Sequence, residues 1–208
     1  SSFSSGRSIQ VAVSLSSDPT GAWFKTQFLA DGGSDDGCWP DYPTLGVSAD
    51  GIYVTTFMVS CGMTVFAIDK APLIAAAPSL GTILAFRGLP FEGAIQPVHS
   101  FGSVSGEYLI SRNSSTTLRV RQVAGAVLVN RGTVSVPFNT AAADAPALGS
   151  STPLDTVDTR LMNAVYRDGS IWTTHTVDVS GRAACRWYEV DVQGASPTLQ
   201  QVGTVSDP

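Results

Sequence analysis

A chain of 208 residues is long enough to bury one sizeable core, and nothing in its composition calls for a second, so residues 1–208 read as one domain. Charged residues make up 14%, against about 25% in an ordinary soluble domain; lysine occurs only as Lys25 and Lys70, and the formal net charge is −5. Without a Lys/Arg cluster the chain lacks the electrostatic footprint of a nucleic-acid binder, and Pro72, Pro78 and Gly81 interrupt its most apolar stretch, residues 71–86, well short of the ~20 residues of a spanning helix.

The abundance of Ser, Thr and Gly implies a hydroxyl-rich surface and many short strands, a composition common in extracellular or cell-surface β-proteins. No signal peptide opens the sequence, which fits a mature secreted form or a piece of a longer chain.

In chain order the first elements are two strands, residues 9–15 and 23–29, read as the outer half of a repeat unit. A Gly-rich loop follows with Asp31, Asp35, Asp36 and Asp41, oxygen ligands that calcium accepts. Their spacing fails the Asp-x-Asp-x-Asp-Gly pattern, so an ordinary solvated turn is the expectation and no metal site is assigned. Cys38 and Cys61 lie at the start and end of one expected hairpin and can bridge in an oxidising compartment. Three buried free thiols remain the alternative, and Cys185 is unpaired in either case.

Strand-like runs then recur at residues 52–57, 64–68, 107–111, 117–121, 171–175 and 184–190. Asp50-Gly51, Ser105-Gly106 and Asp168-Gly169 each precede an aromatic-led strand, as a tight turn requires. Superposing the three gives aromatic anchors at Tyr53, Tyr108 and Trp172. Each unit reads as four strands: one before the turn, one after it, a third ending near Asp69, Val123 or Asp191, and a fourth. Four antiparallel strands per repeat predict an all-β propeller of which about three and a half blades are present. A further unit is expected to start at residues 205–208, so the open ends call for the remaining blades of a longer chain or a second copy. The one break in the β pattern is residues 69–77, a short helix with Asp69 as its cap.

The segment Ser16-Ser17-Asp18-Pro19-Thr20-Gly21-Ala22-Trp23 is similar to the Asp-box, a Ser-x-Asp-x-Gly-x-x-Trp hairpin of sialidase-type propellers, with the glycine one place late. That resemblance implies an Asp that caps the hairpin and a Trp packed between strands, away from any active site. More widely, residues 38–47 and 158–169 resemble uncharacterised propeller regions of large secreted bacterial proteins.

No catalytic set emerges. The only histidines are His99 and His175, and no Gly-x-Ser-x-Gly elbow is present. The only glutamates are Glu92, Glu107 and Glu189, and no motif opposes two of them. For sialidase chemistry the resemblance would imply three arginines gripping a carboxylate, and Arg87, Arg112 and Arg160 are candidates by location alone. Asn113-Ser114-Ser115 matches a glycosylation sequon, a frequent chance match in a Ser-rich chain. No catalytic residue and no cofactor is therefore assigned.

Asp41-Tyr42 and Asp158-Thr159-Arg160 stand where the innermost strands begin, and in a propeller those loops converge on one mouth. Asp158 can pair with Arg160 as a clamp or meet a ligand directly. The expected site is accordingly Asp41, Tyr42, Asp158 and Arg160, binding a carbohydrate or a protein loop without covalent chemistry. The sequence thus points to an extracellular binding or scaffold module, with a fragment of a sialidase-like carbohydrate hydrolase as the alternative.

Overall fold

Strands supply nearly all the regular structure of the computed structural model, which describes residues 6–206. β1 (Ser8–Ser14) and β2 (Trp23–Leu29) form a separate hairpin. Three antiparallel four-stranded meanders follow. The first is β3 (Trp39–Val47), β4 (Gly51–Val59), β5 (Gly62–Asp69) and β6 (Ile83–Leu89). Two short strands come next, β7 (Ile95–Pro97) and β8 (His99–Phe101). β7 starts the second meander, completed by β9 (Glu107–Arg112), β10 (Thr117–Ala124) and β11 (Val127–Ser135). The third is β12 (Asn163–Arg167), β13 (Ser170–Val179), β14 (Arg182–Asp191) and β15 (Thr198–Val205).

β8 joins the set. It pairs in parallel with β3, where His99 meets Val47, and with β12, where His99 meets Val165, so that the first and third meanders become one nine-stranded sheet. The chain is thus all-β, as its composition predicts, and the sheets do not close on themselves among the described residues. The further unit expected at residues 205–208 falls partly outside those residues. No helix is long and apolar enough to cross a membrane.

Side chains alternate with period two, so each meander presents two distinct faces. Ile9, Val11, Val13, Phe24 and Phe28 of the first hairpin pack on Val54, Met58, Phe66 and Ile68 of the first meander, with the Phe28 and Phe66 rings meeting edge to face at 5.3 Å. The opposite face of that meander presents Tyr53, Met63 and Val65 to Ile95, Leu109 and Val123 of the second. The second in turn places Tyr108, Ile110, Leu118 and Val120 against Ile171, Tyr188 and Val190 of the third. The three superposed aromatics therefore all project the same way. Tyr53 and Tyr108 are buried, whereas Trp172 is 38% exposed beside Trp187, because no further described sheet covers it.

Two local expectations need correction. The helix spans only α1 (Lys70–Leu73), capped as expected by Asp69, whose carboxylate accepts the Ala71 amide at 3.2 Å. Residues 74–77 leave it because one turn has little intrinsic stability and the chain folds back, the Ser79 amide donating to the Pro72 carbonyl. In the Asp-box-like hairpin, Asp18 does cap the turn, accepting the Thr20 amide at 2.9 Å and the Thr20 hydroxyl at 2.7 Å. Trp23 does not pack between strands: it is 42% exposed and folds back to donate from its indole to the Pro19 carbonyl.

The long loop before β3 is not the ordinary solvated turn expected of it, because one of its aspartates is buried in an ion pair. Asp35 is fully buried, accepts the Thr64 hydroxyl at 2.6 Å and pairs with Arg87 at 2.6 Å, while Arg87 also donates to the Ala30 carbonyl. Asp31 instead pairs with Arg7 near the surface, so the aspartates of this loop do not converge, and no metal-binding cluster exists among the described residues. Cys38 and Cys61 are disulfide-bonded across the end of the β3–β4 ladder, with Cα atoms 6.3 Å apart, and Cys185 is free and exposed. Because removing one member of a buried ion pair strands its partner, Asp35→Asn should lower stability by about 3 kcal/mol, measured by denaturant unfolding.

Glu107 lies at a close approach between the first two meanders. A Cβ on Gly46 would come within 2.6 Å of Glu107 Oε1 and of the Val98 carbonyl, so only glycine permits this approach of β3. Loss of water pushes the Glu107 carboxyl up to about 9, and its Oε1 has no hydrogen-bond partner. The group is protonated at neutral pH. The folded chain then binds one more proton than the unfolded chain between pH 4.5 and about 9, so this residue makes stability fall as pH rises through that window. Glu107→Gln should remove that slope, raising the melting temperature at pH near 8 far more than at pH near 4; equal shifts at both would contradict a buried protonated carboxyl.

Candidate binding mouth

β3 does not run straight. Its ladder with β4 slips between Asp41 and Thr44, and the two residues between, Tyr42 and Pro43, are expelled as a bulge. The sequence dictates this locally: Pro43 has no amide for the ladder, and Asp41 Oδ1 accepts the Tyr42 amide at 2.8 Å in place of a partner strand. Tyr42 sits at φ 47°, a left-handed conformation that costs a non-glycine residue on the order of 1 kcal/mol or more. Thr44 re-anchors the strand by donating to the Ile95 carbonyl at 2.7 Å.

The second loop is built the same way. Asp155 accepts the amide of Val157, and Asp158 accepts the amide of Arg160 at 2.8 Å, giving two successive side-chain turns. Between them Val157 is held at φ 64°, an uncommon conformation for a β-branched residue. Arg160 then turns back on Asp158, with Nε 2.9 Å from Oδ1 and Nη2 2.6 Å from Oδ2. The Arg160 fork holds the Asp158 carboxyl below the usual range. The same guanidinium lies over the Tyr42 ring, 4.3 Å from its centre.

The structure therefore brings together Tyr42, Asp158 and Arg160, with Asp41 holding the backbone beneath Tyr42. Asp158 is both clamp and surface, since its side chain remains 48% exposed. The Tyr42–Arg160 stack divides two clefts. One, of about 500 Å³, is lined by Ile9, Trp39, Asp41, Tyr42, Leu45 and Thr56. The other, of about 280 Å³, is lined by Phe91, Glu92, Arg112, Asn113, Asp158 and Arg160.

Behind the smaller cleft lies an ionic network that the sequence reading did not assemble. Arg121 holds both oxygens of Glu92, at 2.8 and 3.1 Å; Arg119 approaches at 3.3 Å, and the Ser111 hydroxyl also donates. Burial alone would raise the Glu92 carboxyl, but the bonds from Arg121 and Ser111 and the charges of Arg121 and Arg119 outweigh it and hold it low. Arg112 is anchored by Asn139, and Asn113 accepts from Arg119, so the sequon asparagine is part of this network. One signal was readable: Arg119 and Arg121 are two apart on a strand, so two cations share one face and need a buried counterion. Arg87 stands apart with Asp35, which breaks the arginine trio proposed by location.

His175 fixes the second loop from beneath. Its Nδ1–H donates to the Thr159 carbonyl at 2.8 Å and its Nε2 accepts the Tyr188 hydroxyl at 2.9 Å. Burial, with Arg112 and Arg186 nearby, pushes the imidazole below its ordinary 6.5. Below pH 6.5 the unfolded chain takes up a proton that the folded chain refuses, so stability falls as pH drops through that value. In a Glu107→Gln background, which removes the opposing slope of that carboxyl, urea midpoints should decline from about pH 7.5 to about pH 5, with exchange of the Arg160 amide accelerating, and adding His175→Gln should flatten both dependences. Comparison of the chain with protein-family models, curated proteins and solved structures finds no match.

Proposed function

We propose that the chain is the greater part of an extracellular β-propeller and acts as a noncatalytic binding module whose ligand, a carbohydrate or a polar protein loop, sits at the Tyr42–Arg160 mouth. The observation that carries this reading is strain. Of the five non-glycine residues at positive φ among the described residues, three (Ser60, Asp168 and Ser180) occupy hairpin turns. The other two, Tyr42 and Val157, flank the mouth, where strained backbone is retained when it aims side chains.

Other features agree. The strand that begins the second meander, β7, lies against those that begin the first and third, β3 and β12, as it would around a common axis. The Cys38–Cys61 disulfide suits an oxidising compartment. Remaining blades of a longer chain, or a second copy, would cover the Trp172 face. Glu92 and Asp158 are both held ionised by arginine, which suits recognition better than acid catalysis and favours binding over the hydrolase reading.

Glycan-array and partner screening of the wild type beside Tyr42→Ala and Arg160→Ala tests the site. Both substitutions should weaken the selected ligand by about tenfold or more with little change in melting temperature. Binding that survives both, or turnover of a glycoside, would overturn the proposal.

A further inference from the structure

The smaller cleft has a charge composition unlike the rest of the molecule. Two guanidinium groups, Arg112 and Arg160, and two carboxylates, Glu92 and Asp158, line it, and two more guanidinium groups, Arg119 and Arg121, stand behind on Glu92. That leaves a surplus of two positive charges in a chain whose formal net charge is −5. Both carboxylates are already engaged, Glu92 by Arg121 and Arg119, and Asp158 by Arg160. Arg112 bonds Asn139 through Nε and Nη2, and no described acceptor is within hydrogen-bond reach of its Nη1. Arg119 Nε is buried with no acceptor at all. Partly desolvated cations in excess of their counterions favour an anion, and a guanidinium binds a planar or tetrahedral oxyanion through paired N–H donors.

We propose that this cleft binds the anionic group of an acidic sugar, a carboxylate or a sulfate, with the Arg112 guanidinium as its principal donor. The inference rests on the binding reading above and names the ligand class for the same mouth. A sugar fits better than an acidic peptide for two reasons. Phe91, on the rim, is 60% exposed and braced by Phe57 at 4.7 Å, a flat apolar surface on which a pyranose ring can stack. Asp158, also on the rim, repels successive carboxylates but accepts hydroxyl donors, and a sugar carries one acid among several hydroxyls.

The test is an array of uronic-acid and sulfated oligosaccharides, each printed beside its methyl-esterified or desulfated counterpart, with neutral glycans and a tetraglutamate peptide included. Bound acids are then titrated at low and high salt. At least one acidic sugar should bind ten times more tightly than its neutralised counterpart and weaken with salt. Arg112→Gln should lose that advantage, Arg112→Lys should keep part of it, and Phe91→Ala should weaken acid and ester alike. The acid–ester and sulfate–desulfate pairs identify the source of the anion. Should Arg112→Gln fail to fold, the Lys variant and the salt dependence of the wild type decide the matter. Equal binding of acid and ester at a Tyr42-dependent site would overturn the anion inference and leave the binding reading intact. Tighter binding of tetraglutamate would overturn the sugar assignment, and no binding to any glycan or to the peptide would overturn the inference, while the partner screen above decides its premise separately.

Discussion

Everything at the mouth depends on three residues, His99 to Phe101. By pairing in parallel with both β3 and β12, they hold two otherwise separate meanders edge to edge. Parallel pairing makes β3 and β12 run the same way, so the loops that begin them emerge at the same end. Tyr42 and Arg160, far apart in the chain, become stacking partners for that reason. The approach also requires Gly46, since any side chain there would collide with Pro97 and Glu107.

The same closeness sets where charge is tolerated. Near Gly46 no cation accompanies Glu107, and the carboxyl remains protonated. Near Tyr42, arginines outnumber carboxylates, and Glu92 and Asp158 remain ionised. Two environments of opposite character thus lie toward opposite ends of β3. The end with surplus arginines and strained backbone is the one the proposed ligand would occupy.

Much of the architecture was legible because it is local. Alternating β-branched residues and Gly turns located the strand pattern, the four-strand units and the facing of Tyr53, Tyr108 and Trp172. Asp69 and Asp18 were recognisable as caps because each bonds an amide two residues on. The ends of α1 and the position of Trp23 were not, since both depend on how the chain folds back in space. Asp41, Tyr42, Asp158 and Arg160 were chosen on the expectation that they enter the first strands of two units; Asp158 and Arg160 do precede β12, whereas Asp41 and Tyr42 lie within β3 at its bulge.

By itself, then, the sequence determined the all-β class, the four-strand units, the low charge and the turns at Asp41 and Asp158, because periodicity and turn chemistry act within a few residues. Only the tertiary structure decided which charges meet. That Arg121 neutralises Glu92, that Asp35 pairs with Arg87, and that Arg112 retains an unmatched donor all follow from the order in which sheets stack. Pairing across sheets is set by long-range packing and the cost of desolvating charge, and neither leaves a mark on the spacing of residues along the chain.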